Sequence, residues 1–284
     1  MEMKKFMTRD EKINPDLLLR YPRIGETSIN KRGSTLEIVD YRKWDQVDVM
    51  VITRLESGEF KYYRSNNCEY SCFIKGSIGS PFDKSTCGVG YMGIGSYSSI
   101  THPKLHMFWS GMLFRGYNDK YYGNNTYMDV TVDFRFHNFQ YFAEWAEQNY
   151  YEINGERMTL DKDVLFKGNK IYSPETCCFL PNNLNVMFTK RQIDRGELPI
   201  GVTRKDDCTQ NPYRVSMSVD GKGAVHIGTF PTPEKAFIAY KEAKEEEIEK
   251  QANIYLNEKG GQFIPQFRDI VYPALLRYKV EITD

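Results

Sequence analysis

No single hydrophobic period persists along these 284 residues. Between Leu36 and Arg64 come the short runs LEIVDY (36–41), VDVMVIT (47–53) and EFKYYR (59–64). They are rich in Val, Ile and Tyr, and polar or Gly-bearing turns separate them at Lys43–Gln46 and Glu56–Gly58. That is the signature of antiparallel strands, a small barrel or meander. The period then changes. KLHMFWSGMLFRGY (104–117) sets Leu105, Phe108/Trp109 and Met112/Leu113 at helical spacing, and NFQYFAEWAEQNYY (138–151) does the same with Phe139, Phe142, Trp145 and Ala146. Both stripes read as core. Further on, YRVSMSVD (213–220) and AVHIGTF (224–230) flank a Gly-Lys-Gly turn as a hairpin, and a long helical run follows with Thr232 as N-cap and Pro233 at its first position. A chain that alternates in this way is α+β and multidomain.

The segments divide as an N-terminal arm (1–25), a small β-barrel-like module (26–87), a central domain of helices and strands (88–190), a polar linker (191–210), a sheet-plus-helix unit (211–257) and a C-terminal tail apolar enough to pack (258–284). The Gly-rich run GVGYMGIGSYSS (88–99) lacks the Lys-Ser/Thr and the helix start of a phosphate-binding loop, so it reads as a turn-rich linker. The acidic run Glu245-Glu246-Glu247 reads as a solvent face of the long helix.

Composition excludes several classes. Lys plus Arg equals Asp plus Glu at 38 each, so bulk charge offers no argument for nucleic-acid binding, and any basic surface must come from local segregation. No run approaches the roughly 18 apolar residues of a membrane span, and the N-terminus has no apolar core of the signal-peptide kind. Six sparse cysteines suit a reducing compartment, and a cytoplasmic location is expected, with no membrane partner. His102, His106, His137 and His226 have no metal-ligand spacing. The Cys68/Cys72 and Cys177/Cys178 pairs complete no zinc pattern, so no structural zinc is expected. No G-x-S-x-G supports nucleophilic hydrolysis.

The remaining chemistry lies between 158 and 189. Asp161 ends a strand, Asp163 follows two residues on, Tyr172 lies on the next strand after a Lys167–Lys170 turn, and Asn182, Asn183 and Asn185 enter a helix behind Pro181. Carboxylate and amide oxygens on facing elements suit a hard divalent cation whose other positions go to water and phosphate. Asp and Asn beside a turn are also ordinary turn residues, and spacing alone leaves both readings open.

The run LDKD…KGNKIYSPETCCFLPNNLN (160–185) resembles a divergent HNH, or ββα-metal, endonuclease family common in phages. FWSGMLFRGY (108–117), VTVDFRFHNFQYFAEWAEQ (130–148) and GVGYMGIG are similar to further stretches of that family. The resemblance implies that residues 88–190 form the nuclease domain. It implies Asp161 and Asn185 as ligands of Mg²⁺ (Mn²⁺ being the other option), and Asp161, Lys162, Tyr172 and Asn185 as catalytic residues, with Asp163 and Asn182 behind them. Lys162 stands where most HNH enzymes keep a general-base His. A protonated lysine takes no proton from water, so the resemblance gives it the scissile phosphate and gives Tyr172, as the tyrosine of the second strand, the attacking water. Gly116 and Phe136 also depart from the family pattern, at packing positions.

Residues 211–257 resemble an APETALA-type DNA-binding domain through Tyr213-Arg214-Val215-Ser216, Gly228-Thr229-Phe230 and Thr232-Pro233-Glu234-Lys235-Ala236. That implies a three-stranded sheet in the major groove, read by Arg214, Lys222 and His226. The 26–87 module adds Lys31, Arg32, Arg42 and Lys43 as local charge. The expectation is therefore a phage-type homing endonuclease acting on double-stranded DNA, with a homodimer left open. Its rival is a non-cleaving DNA-binding regulatory or anti-defence protein on the same fold, and a third class is an interaction protein using its many Tyr and Phe.

Overall fold

The computed structural model describes residues 24–43, 45–118, 129–188, 198–205, 210–219 and 223–281. The arm expected at 1–25 and Lys222 lie outside them, apart from residues 24 and 25, as do the side chains of Arg42 and Lys43. Mixed helix and sheet make the fold α+β, divided into two compact units: Met1–Asn118 with Phe134–Phe142, and Asp119–Asp133 with Ala143–Asp284.

In the first unit four strands, β1 (Thr27–Ile29), β2 (Thr35–Lys43), β3 (Gln46–Arg54) and β4 (Phe60–Glu69), pair antiparallel in chain order. Alternation does the folding: Leu36, Ile38, Val49 and Val51 turn to one face and are fully buried with Val47 and Phe73 of the short helix α1 (Tyr70–Ile74). The expected barrel is not closed. Among the described residues β1, three residues long, pairs only with β2 and β4 pairs only with β3, so the sheet is an open meander.

Its turns are held by a buried carboxylate. Asp83, 2% exposed, accepts from Ser34 Oγ (2.6 Å), from the Ser80 N–H (2.8 Å) and from Asn30 Nδ2 (3.1 Å to each oxygen). Asn30 also donates to the Ile78 carbonyl, and its own oxygen accepts from the N–H groups of Arg32 and Ser34. Thr53 Oγ1 lies 2.8 Å from Ser34 Oγ. One side chain thus ties the β1–β2 turn, β3 and the 78–83 segment together.

Helix α2 (Pro103–Tyr117) buries the predicted stripe of Leu105, Phe108, Trp109, Met112 and Leu113. The Gly-rich run is not a linker. Tyr91 forms a parallel bridge with Asn138, Gln140 Nε2 donates to the carbonyls of Met92 and Tyr97, and a Cβ on Gly90 would stand 2.3 Å from Leu113 Cδ1. Glycine is required there because backbone packs directly on a helix. Helix α3 (Phe139–Asn149) follows the second predicted stripe.

The second unit contains two short pairings. β5 (Thr131–Val132) runs parallel to β7 (Ile171–Tyr172), and β6 (Met158–Asp161) runs antiparallel to β8 (Cys178–Pro181), which leads straight into helix α4 (Asn182–Val186). A three-stranded sheet follows, with β10 (Tyr213–Ser218) between β11 (Ala224–Phe230) and β9 (Val202–Arg204). β9 comes from the stretch read as linker. Its signal is the Ile-Gly-Val-Thr-Arg run, too short to stand out among polar neighbours. Helix α5 (Pro233–Asn257) starts as predicted, with Thr232 Oγ1 accepting from the Lys235 N–H, and buries Ala236 and Tyr240 against Val202, Val215 and Met217.

The tail packs through Phe267, Val271 and helix α6 (Tyr272–Arg277), and Val280 enters the core of the C-terminal sheet. The acidic run is not one solvent face. Glu245 accepts from the Val280 N–H (2.8 Å) and pairs with Lys241 and Lys279, Glu247 is buried and accepts from Gln251, and only Glu246 is exposed.

Truncating Asp83 removes the acceptor shared by Ser34 Oγ, Asn30 Nδ2 and the Ser80 N–H. Asp83→Ala is expected to cost about 3 kcal/mol in urea unfolding, against about 1 kcal/mol for Ser34→Ala, with an unchanged denaturant slope.

Candidate metal centre

β6 ends because Asp161 ends it. Its Oδ1 accepts from the backbone N–H groups of Asp163 (2.9 Å) and Val164 (2.7 Å), an Asx-type turn that reverses the chain while Val164 is buried beneath. Asn169, behind Gly168 in the left-handed conformation, then latches the loop: its Nδ2 donates to the carbonyls of Lys162 and Ile171, both at 2.7 Å. Asn169 falls within the Lys167–Lys170 turn. Its Gly-Asn context was the available signal, and what it holds together could not be read from spacing.

Asp161 and Asp163 form a strained pair of charges. Burial first, then the Asp163 charge, pushes the Asp161 carboxyl up to about 7, against the pull of its two backbone donors. Cys178 sits directly across the ladder from Asp161, and burial together with that carboxyl drives its thiol well above the ordinary range. Lys162 is buried, with Nζ 3.3 Å from Asp163 Oδ2 and 5.7 Å from the centre of the Tyr172 ring.

Tyr172 is not on the strand that pairs with β6. It lies on β7, beside Val132 of β5, and is 3% exposed with its carbonyl accepting from the Asp133 N–H. The second strand of the hairpin is β8, which carries Cys178 opposite Asp161; two residues of β7 are too few to be separated from it by sequence pattern.

Asn185 lies on α4, which packs on both β6 and β8, and Leu184 anchors that helix in the core. Asn185 is half-buried and its amide makes no hydrogen bond among the described residues. The Asn182 N–H donates to the Arg157 carbonyl (2.7 Å), fixing the helix to the strand before it, and Asn183 Nδ2 reaches Glu156 (3.3 Å). Among the described residues no group of three or more His, Cys, Asp and Glu side chains is placed to hold an ion. Asp161 and Asp163 supply carboxylate oxygens whose like-charge repulsion a hard cation would relieve, and Asn185 lies on the helix packed against β6.

On the C-terminal sheet Arg214 and His226 share the face opposite Val215 and Met217, and Arg214 Nε donates to His226 Nδ1 (3.2 Å). Ser216 stands across from His226, and Thr203 and Thr229 flank Arg214. Among the described residues no helix is long and apolar enough to cross a membrane. Comparison of the chain with protein-family models, with curated proteins and with solved structures gives no match.

The raised Asp161 carboxyl has a defined pH signature. Its folded value, about 7, exceeds the ordinary 3.8, so its contribution is favourable below pH ~4 and is lost as pH rises through 7. Asp161→Asn keeps an acceptor for the two N–H groups and removes that loss. In EDTA the variant is expected to equal the parent near pH 4 and to exceed it at pH 8 by up to about 4 kcal/mol. Added Mg²⁺ raises the melting temperature of the parent at pH 8 and leaves the variant unmoved.

Proposed function

We propose that the chain is a metal-dependent DNA endonuclease of the HNH, ββα-metal kind, with a C-terminal module that reads the DNA. The observation that carries this reading is the antiparallel pair β6–β8 running directly into α4, with the perturbed Asp161 at the end of the first strand. The resemblance of residues 160–185 to the HNH family supports it.

With Oδ1 committed to backbone, Asp161 offers Oδ2 as a ligand, and Asn185 offers its amide oxygen. A divalent ion held there would supply Lewis-acid stabilisation to the phosphate and to the leaving oxygen. The Lys162 side chain, packed over the Tyr172 ring and paired with Asp163, binds a non-bridging phosphate oxygen. Tyr172 is a positioning residue for that side chain. Asp163, with its side chain 42% exposed, takes the proton of the attacking water as the new P–O bond forms and the old one breaks, and the leaving oxygen picks up a proton from solvent. Lys222 and the Arg214–His226 pair are assigned to the DNA, in a major-groove mode for the sheet. Lys31 and Arg32 are exposed and add charge on the first unit.

The second reading, a DNA-binding protein that does not cut, is favoured by one observation. None of the four histidines lies between β6 and α4, where a general base belongs.

Supercoiled plasmid separates the two. Nicking in Mg²⁺ or Mn²⁺ that falls at least about 100-fold in Asp161→Ala supports the nuclease. Salt-dependent duplex binding without nicking in either metal supports the rival. In both cases Arg214→Ala is expected to weaken duplex binding and to flatten the salt dependence by about one contact.

A further inference from the structure

The four-stranded sheet has a second face, and it is not an ordinary solvent surface. Directly opposed residues of antiparallel strands share a face. The register therefore puts Arg54 and Phe60 in one row of that face, and Ile29, Ile52 and Tyr62 in the next. Tyr62 is 62% exposed and Phe60 52%. The Arg54 guanidinium lies 5.9 Å from the centre of the Phe60 ring. Where the two turns of the sheet end, a cavity of about 520 Å³ is lined by Arg32, Arg54 and Lys84 against the single acid Glu56. Glu56 is paired with Lys84, while Arg32 and Arg54 make no ion pair among the described residues. An anion site thus opens beside an aromatic strip, with Arg54 belonging to both.

We propose that this face binds single-stranded nucleic acid, with phosphates in the cavity on Arg32 and Arg54 and successive bases stacked on Phe60 and Tyr62. Residues two apart on a strand are about 7 Å apart, twice the ~3.4 Å step between stacked bases of a duplex strand. Two such rings match unstacked bases and not paired ones. A second copy of this face would bring unpaired guanidinium groups against their own kind, so the charge disfavours self-association. An apolar protein partner would bury Arg54 without a counter-charge. Every base has a π-face, so an aromatic pair beside fixed cations takes a strand with little regard to sequence. This function is independent of hydrolysis at Asp161 and of the duplex-reading role of Arg214.

The test measures binding of the full chain, in EDTA, to a fluorescent oligothymidylate and to a duplex of equal length. Phe60→Ala/Tyr62→Ala is expected to weaken oligothymidylate binding at least about 10-fold and to leave duplex binding within about twofold. Arg32→Ala/Arg54→Ala is expected to flatten the oligothymidylate salt slope by about 1.4, two contacts at ~0.7 each. Arg214→Ala shows the reverse preference. Ultraviolet cross-linking of oligothymidylate to the unmodified chain should label the peptide holding Phe60 and Tyr62, a readout that needs no variant to fold. The proposal is overturned if the aromatic double variant, with an unchanged melting curve, binds oligothymidylate as the parent does, or if the cross-link falls elsewhere. It is also overturned if sedimentation finds a dimer that this variant abolishes. Absence of plasmid nicking would remove the nuclease reading and leave each of these outcomes as it stands.

Discussion

Two backbone N–H groups, those of Asp163 and Val164, meet one oxygen of Asp161, and the electrostatics of this turn depends on how little else compensates that carboxylate. Asp83 in the first unit is the useful contrast. It lies deeper, 2% exposed where Asp161 is half-buried, yet a serine hydroxyl, an asparagine amide and a backbone N–H surround it, and it serves as a tie between turns. Asp161 has fewer donors and a second carboxylate beside it. A buried carboxylate fully supplied with donors rigidifies a fold; one left short of positive charge is poised for a proton or a cation. That difference in supply of donors sets Asp161 apart from Asp83.

The same economy of donors shapes the C-terminal unit. Lys241 and Glu245, one turn apart on α5, take the carbonyl and the N–H of Val280, so an extended segment is bound to the helix by both of its backbone groups while its side chain fills the core. At Gly201 the left-handed backbone lies against Tyr240, where a Cβ would stand 2.1 Å from the ring. The sheet is thereby closed on its inner side and left with Arg214 and His226 on the outer one. The hydrogen bond from Arg214 Nε to the imidazole Nδ1 joins the two side chains on that face.

Much of this was legible in the chain. Strands between Leu36 and Arg64, the stripes of α2 and α3, and the Thr232-Pro233 start of α5 all follow local periodicity and capping, which act over a few residues. Other features were not legible. The sheet stays open because of strand lengths and pairings that periodicity does not report, and the Gly-rich run is core because α2 and α3 approach it. Val202–Arg204 is a strand only because β10 offers it an edge. Glu245 and Glu247 leave solvent because Val280, Lys250 and Gln251 come to them.

For the site, residue types and their order set the candidates Asp161, Lys162, Asp163 and Asn185, since oxygen-donor chemistry is a property of side chains and is visible in a string of letters. Only the folded chain decides their electrostatics. Burial raises the Asp161 carboxyl, Cys178 rather than Tyr172 stands across from it, and Tyr172 lies beneath Lys162. Desolvation and charge coupling depend on what surrounds a group in space, and the partners here come from β5, β7 and β8, elements whose pairing no local pattern encodes.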